Sequence, residues 1–291
     1  MENLALGLPN GSLQAKTLEL LEKVGISVTM SGRSSKAVLR GTDLFSHVLF
    51  MRPQDIPDMV AHNHITCGIC GWDCVVEFRP QLLEADYVDK TLVRVADFSF
   101  SRRSSVPARV IAFSRKGGYA PDINRVGIRI TTEYPNITKH RFPNAEIVFS
   151  HGGTEAKVAA GAFELGVCIT ETEASIEENG LRIVNELIVS PVVLVSNTLT
   201  QEIQALGDML KGALDAEAVQ LVKMNAPNER VRDAIVAALP SLSSPTVNKL
   251  AKAGFAIEAV VPKQHLVELF IKLRACGASG WIQHDLNTVV R

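Results

Sequence analysis

Short apolar segments alternate with helix-patterned ones along most of this chain, and that alternation excludes most folds. Residues 4–9 read as a strand, and 10–13 as a turn that starts a helix running to about Val24. Leu13, Thr17, Leu20, Leu21 and Val24 recur at helical spacing there, with Gly25 as the stop. Residues 48–51, 66–70, 129–132, 145–149 and 165–170 then read as strands, and 55–63, 134–141 and 154–162 as helices, with a new set of strands beginning at 106–114. Such alternation predicts parallel or mixed sheets covered by helices, with ligands at the C-terminal ends of the strands.

Strands within 187–197 would return the chain to its first part, as in a two-lobed periplasmic-binding-protein-like core, and a helix over 200–216 would connect onward. From Glu217 the pattern becomes strand 219–225, helix 229–239, strand 256–261, helix 263–275 and strand 279–283. That βαββαβ-like series predicts a small ferredoxin-like, ACT-like C-terminal domain. The expected division is therefore 1–93 plus 187–213 for a first catalytic lobe, 94–186 for a second, and 214–291 for a regulatory domain.

At 291 residues, 46% hydrophobic and 21% charged, the chain can bury the cores that this plan needs. Its net charge of -1 gives no reason to expect nucleic acid, and the Lys/Arg-rich stretch from Arg94 to Arg141 suits a phosphorylated small molecule. No apolar run approaches membrane-spanning length and the N-terminus lacks a signal peptide's basic start, so the expected location is the cytoplasm. Five cysteines, an odd number, argue against a secreted disulfide framework. Cys67, Cys70 and Cys74 follow His62 and His64 closely. The group reads either as a metal or redox cluster or as small core residues; a Cys-x2-Cys zinc site would need a second pair. Strand alternation puts Cys67 in the core and Cys70 on the cleft, where Cys168 could approach it.

The motifs themselves suggest a cleft. Arg52 and Asp55 precede a helix opened by Ile56-Pro57, and Gly68-Ile-Cys-Gly-Trp-Asp73 ends a strand in a glycine-punctuated turn that lets backbone amides approach an anion. Arg52 and Asp55 also fit a surface capping pair. Thr172 and Ser175 fit either a phosphate contact or a plain helix cap, and Trp72 either a base-stacking platform or a lid.

Taken with Leu8-Pro-Asn-Gly-Ser-Leu13, Thr132-Glu-Tyr-Pro-Asn-Ile-Thr138, the run 171–181 and Leu239-Pro-Ser-Leu-Ser-Ser-Pro-Thr246, these motifs mark a chain that resembles the long form of ATP phosphoribosyltransferase along its whole length. The resemblance implies magnesium-assisted transfer of 5-phosphoribose from phosphoribosyl pyrophosphate to N1 of ATP. It also implies histidine as a feedback effector and a homo-oligomer exchanging between dimer and hexamer. Glu155, Cys168 and Glu171 take the catalytic positions. Thr172, Glu173, Ala174, Ser175, Gly152 and Gly153 take the phosphate and ribose positions. Asn10, Ser12, Arg52, Asp55, Cys70, Trp72 and Asp73 take the nucleotide side, and Ser244, Thr246 and Leu250 the effector site.

The chain departs from the family's pattern where anions should bind. Glu173 stands for the glycine of the phosphate loop, Cys168 for an acid that holds ribose hydroxyls, Asn10 and Ser12 for a Lys and an Arg, and Thr66 for another Asp. A carboxylate beside a phosphate dianion costs several kcal/mol unless it is turned away or holds a metal.

Overall fold

The computed structural model describes residues 4–30, 36–98, 100, 106–117, 122–242 and 244–290. The chain forms two compact units, Met1–Gly207 and Asp208–Arg291.

The first unit holds two sheets. In chain order its first part runs β1 (Ala5–Pro9), α1 (Gln14–Lys23), β2 (Ser27–Met30), β3 (Lys36–Arg40), β4 (His47–Met51), α2 (Ile56–Ala61), β5 (Cys67–Gly71), α3 (Trp72–Phe78) and β6 (Val93–Phe98). The second part runs β7 (Ala108–Arg115), β8 (Arg129–Thr132), α4 (Pro135–Arg141), β9 (Glu146–Phe149), α5 (Thr154–Ala159), β10 (Leu165–Thr170), α6 (Ala174–Glu178) and β11 (Leu181–Ser190). β12 (Val192–Ser196) and α7 (Gln201–Asp215) follow.

Strand order is β2-β3-β4-β1-β5-β12-β6 in the first sheet and β11-β7-β10-β8-β9 in the second. At the heart of the first, β4, β1 and β5 run parallel, and every residue of β1 and β5 is buried. Strands covered on both faces carry apolar residues at every position, so they show no alternation. The second sheet repeats the scheme with β10, β8 and β9 parallel.

The lobes meet at other points than the expected 93/94 and 186/187. β6 pairs with β12 and stays in the first sheet, while β11 pairs with β7 as far as Ser190. The pattern rules assign no element to β2 and β3, an antiparallel pair of four and five residues at the sheet edge, too short for a period-2 count. They also miss α3, whose seven residues include two valines and a cysteine. So weak a helix former is held by packing: Val75 and Cys74 enter the first lobe's core, and Val76 the second's.

The second unit has the order β13 (Val219–Ala226), α8 (Glu229–Ala238), β14 (Thr246–Lys249), β15 (Phe255–Pro262), α9 (Leu266–Ala275) and β16 (Ser279–Asp285), with strand order β14-β15-β13-β16. β14, an exposed edge strand of four residues, is not among the elements read from the sequence. Val222, Met224 and Ala226 of β13 meet Ile257, Ala259 and Val261 of β15 in a core shared with Ile235 and Leu273 of the helices. Asn228 caps α8, its side chain accepting the Val231 amide at 3.0 Å. Among the described residues no helix is long and apolar enough to cross a membrane.

Asn228→Ala should lower the stability of the second unit by about 1 kcal/mol. Urea titration of variant and parent reads this directly, and coincident curves would show that the cap contributes nothing.

Candidate active site

The parallel strands of each sheet end at the same side, and several of the expected site residues follow directly on those ends. In the first lobe the Asn10 amide bonds the Met51 carbonyl at 2.8 Å, which ties the end of β1 to that of β4. Arg52 and Asp55 flank the turn after β4; both are exposed, and Asp55 makes no side-chain cap bond, so the capping reading of this pair fails. In the second lobe Glu133, Ser150 and Glu171 follow directly on β8, β9 and β10.

Between these ends lies a space of about 500 Å³, walled by Ser12, Pro53 and Gln54 on one side and by Tyr134, Ile169 and Glu171 on the other. Asp73 and Cys74 also line it, and an adjoining space of about 600 Å³ continues along Glu77, Glu133 and Asn136.

Asp73 is the best-connected of the expected residues. Only 5% exposed, its carboxylate accepts from Ser190 Oγ at 2.6 Å and from Tyr134 Oη at 2.9 Å, and its own amide donates to Ser190 Oγ at 2.7 Å. The Cys74 thiol, 3.6 Å away, donates to the same carboxylate. Burial, followed by the Asp73 charge, pushes the Tyr134 hydroxyl well above its ordinary pKa. Gly71 is required by this arrangement: a Cβ there would lie 2.1 Å from Asp73 Oδ1. Its φ of -72° suits any residue, so it is the room for the carboxylate, and not a left-handed turn, that calls for glycine here.

Glu77 strengthens the same junction. Its carboxylate accepts the amides of Asn136 and Ile137 at 2.8 and 3.0 Å, and its carbonyl accepts from Asn136 Nδ2 at 2.9 Å. Burial raises its pKa, against the lowering effect of those amides.

Two expectations about this wall need correction. Cys70 is fully buried in the first lobe's core, because β5 is covered on both faces and its parity selects no cleft side. Cys74, one turn into α3, is the cysteine on the cavity wall. Trp72 opens α3 instead of lying in a loop, and the Arg94 guanidinium lies over one face of its ring, 4.2 Å from the centroid.

In the second lobe Cys168 is 4% exposed and its thiol lies 3.9 Å from Glu155 Oε1. Burial, with Glu155 and Glu133 adding to it, pushes its pKa far up, so the group is a neutral thiol. Burial does the same for Cys67, and burial with Asp73 does so for Cys70 and Cys74. Among the described residues no three His, Cys, Asp or Glu side chains are grouped to hold a metal, and Cys67, Cys70 and Cys74 are buried in the first lobe.

Gly152 and Gly153 have φ of +107° and +66°, and nothing lies within 4 Å of where a Cβ would be. Beneath them Lys157 Nζ donates to Ser150 Oγ at 2.7 Å, and Ser150 Oγ donates to the Gly152 carbonyl at 3.0 Å. Thr172 and Glu173, before α6, and Ala174 and Ser175, its first two residues, are all exposed. Glu173 is turned aside: its carboxylate pairs with Arg109 at 2.9 Å. In the second unit Ser244, Thr246 and Leu250 are exposed around the edge strand β14.

Tyr134, Ser190, Glu77, Gln54 and Arg109 had no role from sequence. Tyr134 did carry a signal, since it sits inside the run 132–138.

A cleft at the C-terminal ends of two parallel-strand sets, on lobes joined by two crossovers, defines a two-lobed α/β ligand-binding core. The chain belongs to the ATP phosphoribosyltransferase family, whose model matches residues 52–213, with the model of the HisG C-terminal domain matching 216–288. It is 36% identical to an ATP phosphoribosyltransferase of Solidesulfovibrio magneticus over 99% of this chain and 98% of that one. It is 34% identical to ATP phosphoribosyltransferase 1 of Geobacter sulfurreducens, over 99% of each. A solved chain of the ATP phosphoribosyl transferase (HisG:HisZ) complex from Thermotoga maritima superposes with a TM-score of 0.53 at 25% identity, covering 67% of this chain and 87% of that one.

Two outcomes follow from the geometry. Asp73→Ala leaves two buried hydroxyls without their acceptor and should destabilise the first unit by about 3 kcal/mol, with Tyr134→Phe costing about half as much; denaturant titration that finds Asp73→Ala as stable as the parent would refute the network. Brief iodoacetamide treatment at neutral pH should label half-buried Cys276 first and leave the other four cysteines untouched until unfolding. Rapid labelling of native Cys168, mapped by mass spectrometry, would contradict its burial.

Proposed function

We propose that this chain transfers the 5-phosphoribosyl group of phosphoribosyl pyrophosphate to N1 of ATP, the first step of histidine biosynthesis. The observation that carries the reading is the match to ATP phosphoribosyltransferases along both units of the chain. A bond forms between N1 and the anomeric carbon as the bond from that carbon to pyrophosphate breaks. Alignment of the two reactants in the cleft supplies a large share of the rate, and charge stabilisation at the leaving group much of the rest.

The roles are assigned by position. Glu171 on the cleft wall and Glu155 beside Cys168 face the ribose, where positive charge develops. Thr172–Ser175, with Gly152 and Gly153, receive the phosphate. Asn10, Ser12, Arg52 and Asp55 form the nucleotide side, with Gln54 and Cys74 joining them in place of Cys70 and Trp72.

Magnesium fits as a shared ligand and not as a caged one. Glu133 and Glu155 both bear electrostatically on Cys168, and their oxygens are of the kind magnesium takes together with substrate phosphates. Bound there, it would supply positive charge to the departing pyrophosphate. Histidine is the proposed effector at Ser244, Thr246 and Leu250, and a homo-oligomer of dimers or hexamers the proposed assembly. A cytoplasmic location goes with this pathway.

A second reading is favoured by one observation, Cys168 and Glu173 standing at the ribose and phosphate positions: a diverged relative that uses the same cleft for another ligand or transfer, or a catalytically inactive sensing subunit.

Protein supplied with ATP, phosphoribosyl pyrophosphate and magnesium should form phosphoribosyl-ATP and pyrophosphate, resolved by ion-exchange chromatography. Glu171→Gln should lower kcat/KM by about a hundredfold. Binding of both substrates without product would select the second reading. Histidine should raise the thermal transition in the same samples, and a response to a different amino acid alone would move the chain out of histidine synthesis.

A further inference from the structure

The carboxylate that most disturbs the phosphate loop has a partner that no pattern in the sequence marked. Arg109 lies in β7, directly opposite Thr170 of β10, so the two side chains share a face of the sheet at the point where the loop begins. Thr170 Oγ1 in turn donates to the Thr172 carbonyl and shapes the loop. The Arg109 fork is divided: one nitrogen donates to Glu173 Oε1 at 2.9 Å and the other to Glu186 Oε2 of β11 at 3.0 Å. Both bonds favour the charged guanidinium, the Glu173 bond foremost.

We propose that Arg109 is a positioning residue for the phosphate loop, drawing the Glu173 carboxylate sideways onto β7 so that Thr172, Ala174 and Ser175 can accept a phosphate monoester dianion. The inference rests on the reading of 172–175 as the phosphate site. Its physical content is a division of labour. A glycine in this loop leaves nothing to neutralise, whereas a glutamate needs a cation fixed from outside the loop. A planar fork anchored by Glu186 holds one direction in a way that a flexible ammonium does not. Glu186 is therefore part of the device: it aims the guanidinium and leaves the free branch for Glu173.

The test is a pair of double-mutant cycles on Arg109→Ala and Glu173→Gly in the full-length protein. One cycle reads the dissociation constant of phosphoribosyl pyrophosphate by calorimetry, and the other the urea midpoint without ligand. Arg109→Ala should weaken phosphoribosyl pyrophosphate binding by about tenfold in the parent, and by less than about threefold once Glu173 is glycine. Arg109→Lys should fall between, and ATP binding should stay within about twofold throughout; a merely structural role would move both ligands together. An equal effect of Arg109→Ala in the two backgrounds would overturn the inference, as would zero coupling in the ligand-free cycle, with the phosphate site left standing in either case. A parent protein that does not bind phosphoribosyl pyrophosphate while the ligand-free coupling persists would overturn the phosphate-site reading, and the positioning role with it.

Discussion

One buried carboxylate sets the geometry of the first unit. Asp73 leaves water at the start of α3, and a charge so placed must be met by donors close at hand. Those donors come from the other lobe: Tyr134 follows β8, and Ser190 ends β11. Satisfying the charge therefore fixes where the second sheet stands relative to the first, and with it the width of the cleft. Glu77 repeats the device one turn further along α3, holding the first amides of α4. These groups account for three features of the sequence together: Gly71 gives room for the carboxylate, the run 132–138 supplies the tyrosine, and the two crossovers return the chain to the same spot.

How much of this the sequence revealed depends on whether the cause was local. Amphipathic periods located α1, α8 and α9, and the β/α alternation gave two lobes and a separate βαββαβ unit, because these signals arise within single elements. α3 went unnoticed because tertiary packing, and not helix propensity, forms it; a tryptophan, a cysteine and two valines in seven residues argue against a helix on local grounds. The cysteines misled for a related reason. Parity arguments assume one wet face, and β5 has none, so Cys70 went to the core and Cys74 to the cavity wall.

The candidate site was legible to the extent that the strand ends define it. Asn10, Arg52 and Glu171 directly follow the ends of parallel strands β1, β4 and β10, and Gly152 lies three residues beyond β9. What could not be read was the partner of each charge. Glu173 in isolation looks incompatible with a phosphate, and only its pairing with Arg109, 64 positions away in the chain, shows how the loop can carry it. Contacts of that separation leave no local period to count.

The sharing of α3 has a consequence for how the first unit comes apart. Val76 belongs to the second lobe's core while Val75 and Cys74 belong to the first, so neither lobe has a complete core when the other is missing. A fragment ending at Phe98 would expose Val76, and one spanning Ala108–Ser190 would lack it. The two lobes look like separate modules in outline, yet the shared helix requires them to unfold together. Cutting the chain within α3 would divide a single core between two pieces, neither of which closes without the other.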